Sequence, residues 1–277
     1  MKNSIFTKHL REGLHPWQWL RPWQWFFAPE AMPRRIFVLL AALLVLSGCA
    51  STNDAVDTRP AKVIYESAMD SYLHDKQTDA EKGFRTLMEE YPLSPYAVDA
   101  QLMLGDVCFA ADKFDEAGSY YTNFVAMHPQ HPRASYALFQ KGMSYFKDVL
   151  TVDRDQTATR KSLFAFEDLA ANYPDSAYRG RAKELIAFLR KRLAEREFYV
   201  ARFYFKSKNY KGALGRFRDI LKNYGDAGLS EETLFYIGES YMKLGEGALA
   251  KDAFTTLITN FPDSQFVKDA KSRLKEG

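Results

Sequence analysis

The chain has 277 residues, 47% of them hydrophobic and 26% charged, with 38 Lys and Arg against 35 Asp and Glu for a net charge of +3. That length allows one large domain or two small ones, each with a core of its own. The near-balance of charge excludes the broad basic footprint of a nucleic-acid-binding protein.

The first 31 residues carry all four tryptophans, Trp17, Trp19, Trp23 and Trp25, in a proline-interrupted, near-duplicated Pro-Trp-Gln-Trp pattern. Tryptophan favours the membrane interface, so an amphipathic surface segment is one reading. The plainer one is that Met32 begins a complete signal of its own, and that translation starts there or the preceding stretch is a dispensable n-region. Arg34 and Arg35 are followed by an apolar run over 36–46 and then by Leu46-Ser47-Gly48-Cys49. The run is shorter than the roughly 20 residues of a membrane span, and it suits the h-region of a signal peptide. The tetrapeptide resembles the lipobox of bacterial lipoproteins, a family in which the signal is cleaved before the cysteine and that residue is then acylated. Residues 1–48 are therefore expected to be a signal peptide and Cys49 the site of lipid attachment, with 49–59 a small, polar, flexible tether. Ala50 and Ser51 follow Cys49, without the Asp that tends to retain enterobacterial lipoproteins at the inner membrane, so the resemblance implies the outer membrane.

The leader holds six Lys/Arg and two Asp/Glu, which leaves 32 basic and 33 acidic residues in the remainder, a net charge of −1. With Cys49 acylated only Cys108 remains, so no intramolecular disulfide forms and the fold must rest on its apolar core.

From Pro60 onward apolar residues recur at intervals of three and four, and strand signals are almost absent, which predicts helices throughout. The punctuation repeats: Tyr91-Pro92, His128-Pro129, Tyr173-Pro174, Tyr224-Gly225 and Phe261-Pro262. Aligned on these points, a small residue recurs in a first helix at Ala68, Gly105, Gly142, Ala201 and Gly238. A second recurs twelve residues later at Ala80, Ala117, Ala213 and Ala250, followed after four more by Phe84, Tyr121, Phe217 and Phe254. The third unit keeps Phe166 and Pro174 but has Ser162 at the small position, and it carries eight extra residues within 148–156. Small side chains let the two helices of a hairpin approach, and the aromatic ring fills the gap beside them. Pro then ends the second helix, and Ser94-Pro95 and Pro174-Asp175-Ser176 offer caps for the next. This pattern resembles the tetratricopeptide repeat.

The fold class expected is therefore all-α: an α-solenoid of five tetratricopeptide-like helix pairs. Successive small residues lie 37, 37, 59 and 37 apart. The long interval holds the eight loop residues and fourteen more. No helix breaker lies between Arg181 and Lys208, so an extended first helix of roughly 28–32 residues, about 45 Å long, is predicted before the fourth pair. It would divide repeats 1–3 (60–178) from repeats 4–5 with a closing helix (179–277). That closing helix is expected over 263–275, with Phe266 and Leu274 inward, to cover the last repeat.

Chemistry-bearing constellations are sparse. His128 and His131 are three apart, but prolines break any helix that would align them, so they read as loop rather than metal ligands. Cys108 falls on a packing position. Glu89-Glu90 and Glu231-Glu232 read as solvated faces. No phosphate loop, zinc motif or nucleophile elbow occurs. The expectation is a protein that is not an enzyme and needs no cofactor or metal. What remains is surface. One residue beyond the packing face, the first helices carry Tyr65, Met69 and Tyr72, then Leu102, Asp106 and Phe109, then Tyr136, Phe139, Met143 and Phe146. This aromatic and methionine stripe suggests a groove for an apolar or aromatic peptide; the other reading is that its members pack between repeats.

The runs Phe166-Glu-Asp-Leu-Ala-Ala-Asn-Tyr-Pro-Asp-Ser-Ala-Tyr178 and Leu189-Arg-Lys-Arg-Leu-Ala-Glu-Arg-Glu-Phe-Tyr-Val-Ala201, with Phe203-Tyr204, resemble the BamD family of outer-membrane assembly lipoproteins. The resemblance spans the lipobox and roughly 60–275. It implies a lipid-anchored scaffold at the periplasmic face of the outer membrane, which partners a BamA-like barrel insertase and helps insert unfolded outer-membrane β-barrel proteins. It further implies that the front groove receives the aromatic-ending C-terminal segment of a barrel protein, and that Arg216, in Ala213-Leu-Gly-Arg216-Phe217, lies at the insertase interface. The competing expectation is another envelope tetratricopeptide lipoprotein, serving peptidoglycan, Tol-Pal or pilus assembly, which would lack the extended Arg-Leu-Ala-Glu helix.

Overall fold

A computed structural model describes residues 60–276. The signal peptide, Met32, Cys49 and the tether 49–59 lie outside the described residues. Eleven helices and no strands occur among those described. Five hairpins follow one another: α1 (Ala61–Leu73) with α2 (Gln77–Glu90), α3 (Pro95–Ala110) with α4 (Phe114–Met127), α5 (Ala134–Lys147) with α6 (Thr157–Asn172), α7 (Arg179–Lys206) with α8 (Tyr210–Tyr224), and α9 (Ser230–Lys243) with α10 (Gly247–Asn260). The last helix, α11, runs Val267–Glu276. Each helix packs chiefly on the one before and the one after it, which is the nearest-neighbour arrangement of a solenoid.

The small-residue and aromatic pattern describes the hairpin contact directly. The rings of Tyr121, Phe166 and Phe254 lie so close over Gly105, Gly142 and Gly238 that a Cβ there would fall 2.6, 2.5 and 2.4 Å from ring carbons. Phe84, Phe166, Phe217 and Phe254 are fully buried, each contributing about 2–3 kcal/mol by transfer from water. The serine of the third repeat serves the same contact: Ser162 Oγ, buried, donates to the Gly142 carbonyl at 2.9 Å. Four second helices end at Tyr91, His128, Tyr173 and Phe261, each just before a proline, with φ of −128 to −135° and ψ of 50 to 65°, outside the α region that a following proline disfavours.

A left-handed turn joins the helices within four of the hairpins. Asp75, Asp112, Lys208 and Gly245 have φ of 56, 57, 62 and 80°, and the next residue's N–H in each donates 2.9 Å back to a carbonyl five residues earlier: Ser71, Cys108, Tyr204 and Tyr241. This is the Schellman closure of a helix C-terminus. The third hairpin has the longer loop 148–156 instead. Gln156 Nε2 donates to the carbonyls of Thr151 and Arg154, each at 3.0 Å, and Arg196 Nη1 on α7 reaches the Val152 carbonyl at 3.1 Å.

The extended helix is α7, 28 residues long, about 42 Å at 1.5 Å per residue. It packs on α6 with one end and on α8 with the other. Ser94 caps α3, accepting from Tyr96 N at 3.3 Å with Pro95 at the first helical position. Ser176 acts earlier than a cap: it accepts from Tyr178 N at 3.1 Å, and α7 begins only at Arg179. The closing helix also starts later than expected, because Ser264 turns the chain back by accepting from Phe266 N and Val267 N. Phe266 thus precedes the helix, and it stacks on Phe235 at 5.4 Å. Ala270 is the fully buried contact of α11, and Leu274 packs partly against the same core.

Candidate functional site

The stripe on α1, α3 and α5 makes ring contacts from the first repeat to the second and from the third to α7 and the turn before it, and Tyr136 is hydrogen-bonded to Asp106 between the second and third. Tyr65 on α1 lies 5.3 Å from Tyr96 on α3 and edge-on to Phe84 at 5.8 Å. On α5, Phe139 stacks on Tyr178 at 5.0 Å, Tyr136 lies 5.9 Å from the same ring, and Phe146 lies 5.7 Å from Phe188 on α7. Phe109 meets Phe114 at 5.4 Å at the turn into α4. Tyr65, Met69, Tyr72, Phe109, Tyr136, Phe139, Met143 and Phe146 are all half-buried. One part of each side chain packs on a neighbour while another reaches solvent.

Leu102 departs from this. It is fully buried, in a cluster with Tyr121, Phe124 and Ala137, and lines no groove. α3 lies between α2 and α4 and touches α1 as well, so every residue from Ala100 to Cys108 is buried. A helix enclosed on several sides has no free apolar stripe for periodicity to locate.

A polar centre lies within the aromatic row. Asp106 on α3 is 6% exposed. Its Oδ1 accepts from Tyr121 Oη on α4 at 2.7 Å and from Tyr136 Oη on α5 at 2.8 Å, while Gln140 Nε2 donates to Tyr136 Oη at 3.2 Å. Its Oδ2 lies 3.7 Å from Arg133 Nη2. Arg133 also approaches Asp99 at 3.4 Å and lies over the Tyr136 ring at 5.6 Å. Burial pushes the Asp106 carboxyl above its ordinary range, against the opposing pull of the two phenols and the guanidinium. Burial, with the nearby Asp106 charge, raises Tyr121 and Tyr136 in turn, which keeps both phenols as donors. Tyr65 and Tyr72 of the first repeat are raised chiefly by burial too, and feel the same carboxylate.

Sequence reasoning placed Asp106 on the stripe without a role, and passed over Arg133 and Tyr178. One signal was available: the second repeat alone has Tyr rather than Phe as its packing aromatic, and an acid follows its small residue. Arg133 and Tyr178 sit just before α5 and α7, where helical periodicity says nothing.

In the second half, Arg216 on α8 is exposed and its Nη1 pairs with Glu197 Oε2 of α7 at 3.0 Å. Glu89 and Glu90 are exposed as expected, but Glu231 and Glu232 are half-buried. Desolvation raises the Glu232 carboxyl, and its Oε1 lies 4.0 Å from Arg202. It borders a cleft of about 440 Å³ walled by Tyr199, Phe203 and Leu229. Cys108 is fully buried and its thiol is pushed up to about 11, mainly by burial. The His128 and His131 rings rest on Phe124 at 5.4 and 5.2 Å, and His131 Nδ1 accepts from Arg133 N. No group of three or more His, Cys, Asp or Glu side chains with metal-binding geometry occurs among the described residues, nor is any described helix long and apolar enough to cross a membrane.

Stacked helical hairpins, each closed by an aromatic ring packed on a small residue of its first helix, define the tetratricopeptide class of repeat protein. The family model described as YfiO, outer membrane lipoprotein, matches residues 57–253, and the chain belongs to that family. It is 30% identical over 245 residues to the outer membrane protein assembly factor BamD of Rickettsia prowazekii, covering 88% of this chain and 98% of the relative. The BamD of Neisseria meningitidis serogroup A is 31% identical over 253 residues, with coverage of 86% and 95%, and that of Caulobacter vibrioides is 28% identical over 246, with 86% and 81%. Among solved structures, the TPR2AB domain of yeast Sti1 in its pHSP90 complex overlaps with a TM-score of 0.42 at 13% identity, covering 77% of this chain and 81% of that one. The repeat assignment rests on the helix pairing itself.

Proposed function

We propose that this chain is an assembly factor for outer membrane proteins, acting as a lipid-anchored, non-catalytic scaffold at the periplasmic face of the outer membrane. The observation that carries the reading is the half-buried aromatic row along α1, α3 and α5 in a chain whose curated relatives are named outer membrane protein assembly factors. An unfolded β-barrel segment is extended and alternates apolar with polar side chains, so one side of it can lie on Tyr65, Tyr136, Phe139 and Phe146 with main-chain groups left to hydrogen-bond. Half-buried rings are already ordered, so docking on them costs little side-chain entropy. The second half, with Arg216 exposed on α8, would meet a BamA-like insertase, and Cys49 would hold the solenoid by its lipid beside that partner.

The test is site-specific photocrosslinking in envelopes from the end of a nascent barrel protein. Tyr65→Ala, Phe139→Ala and Phe146→Ala should each weaken adduct formation several-fold, the scale of about 1 kcal/mol lost on truncating an anchoring aromatic. Unchanged adduct yield in all three removes the groove from the reading.

A further inference from the structure

The polar centre within the aromatic row has no packing need that explains it. Four of the five repeats place Phe against the small residue of the first helix; the second places Tyr121, and sets Asp106 where its phenol must be met. An apolar pair of similar volume would fill the same space, and such replacements of buried charge are often neutral or stabilising. The acid does more than satisfy Tyr121: it also takes the Tyr136 phenol from the next repeat and faces Arg133 with its second oxygen.

Arg133 has donors to spare. Its contact with Asp99 is 3.4 Å, at the edge of hydrogen-bonding range, and those with Asp106 Oδ2 and Met103 Sδ are 3.7 Å. Its side chain is 38% exposed. The guanidinium is thus held in place by charge and by the face of Tyr136, yet no strong acceptor claims its N–H groups. Two carboxylates against one guanidinium leave the spot formally negative, which disfavours an anionic ligand and favours a neutral oxygen.

We propose that Arg133, positioned by Asp106, is the polar reader of this face and donates to a main-chain carbonyl oxygen of the bound segment. It would act beside Tyr65, Tyr136 and Phe139, which take the segment's apolar side chains. This rests on the groove reading above and assigns to it a residue that fixes the register of the segment, because a carbonyl held at Arg133 sets which side chains face the rings. Asp106 is a positioning residue: the segment would not touch it.

The experiment uses the full-length protein in detergent and two short fluorescent peptides of alternating apolar pattern ending in Phe, one amidated and one a free acid. Binding is followed by anisotropy at neutral pH, with thermal unfolding measured in parallel. Arg133→Gln should weaken both peptides about tenfold, the scale of a hydrogen bond from a charged donor. Asp106→Asn keeps an oxygen for both phenols and should weaken binding several-fold with no fall in Tm. Phe139→Ala serves as the groove control, and the amide should bind at least as well as the acid. If Phe139→Ala weakens binding while Arg133→Gln and Asp106→Asn do not, the proposal fails and the groove stands. If none of the three weakens it, the groove reading fails and takes the proposal with it. An Asp106→Asn variant that loses Tm and affinity together, with Arg133→Gln unaffected, makes the acid merely structural and overturns the assignment. A free acid bound tenfold tighter than the amide overturns the neutral acceptor.

Discussion

Asp106 is a buried carboxyl whose hydrogen bonds from Tyr121 and Tyr136 oppose the cost of its burial. Burial raises its carboxyl pKa relative to the unfolded chain, so the folded state binds that proton more tightly than the unfolded state does. Its contribution to stability is therefore fully present below the unfolded value of about 3.9 and is lost as pH rises through the raised folded value. Asp106→Asn removes the charge and keeps the acceptor, so it should melt at an equal or higher temperature than the parent at pH 7. The difference should vanish toward acid pH, below both values. Circular-dichroism melts at the two pH values check this, and a lower Tm at neutral pH would mean that attraction to Arg133 outweighs desolvation. Glu81 runs the other way: hydrogen bonds from Arg85 and then Lys113 hold its carboxyl below the usual range, so its stabilisation is present above the unfolded value and fades on acidification.

At the scale of elements, the recurring left-handed turn is the feature that sequence periodicity could not show. Helical positions announce themselves by spacing and X-Pro pairs announce helix ends, but Asp75, Asp112, Lys208 and Gly245 span three residue types and have in common only a φ near +60 to +80°. The Schellman bond imposes that conformation whatever the side chain. Gly245 adopts it freely and has no heavy atom within 4 Å of a Cβ position, so Gly245→Ala isolates the backbone term and should destabilise by about 1 kcal/mol. Lys208→Gly should do the reverse in the folded state, offset by the greater freedom of the unfolded chain, for a net change within about 0.5 kcal/mol. Urea unfolding midpoints of the two variants measure both. The long helix α7 was legible, since an uninterrupted stretch between breakers has few other outcomes, whereas the start of α11 was not, because Ser264 forms a local turn that competes with helix entry.

At the scale of the whole molecule, α7 ties the two runs of repeats together through contacts of its own. Arg190 makes a bidentate pair with Asp226, at 2.9 and 3.1 Å, and donates to the Asn223 carbonyl at 2.9 Å; Arg196 holds the 148–156 loop. Arg216 is different, an exposed pair with Glu197 that contributes only about 0–1 kcal/mol to stability. Arg216→Glu should therefore leave Tm nearly unchanged while weakening co-purification of a BamA-like insertase from solubilised envelopes. Full retention of that partner would sink the interface assignment.

The sequence by itself determined the helices, their pairing in five hairpins, the extended α7 and the aromatic stripe. All of these follow from local periodicity and from the steric demands of Gly, Ala and Pro, which act within a single repeat. Only the tertiary structure decided which stripe residues reach solvent. Leu102 vanished into the core because α3 has neighbours on several sides, and Tyr178 joined the row from outside any helix. It also decided that Asp106, Tyr121, Tyr136 and Arg133 converge. Those residues belong to three helices and a helix cap, and their meeting depends on the angle at which one repeat stacks on the next, which no spacing within a repeat encodes.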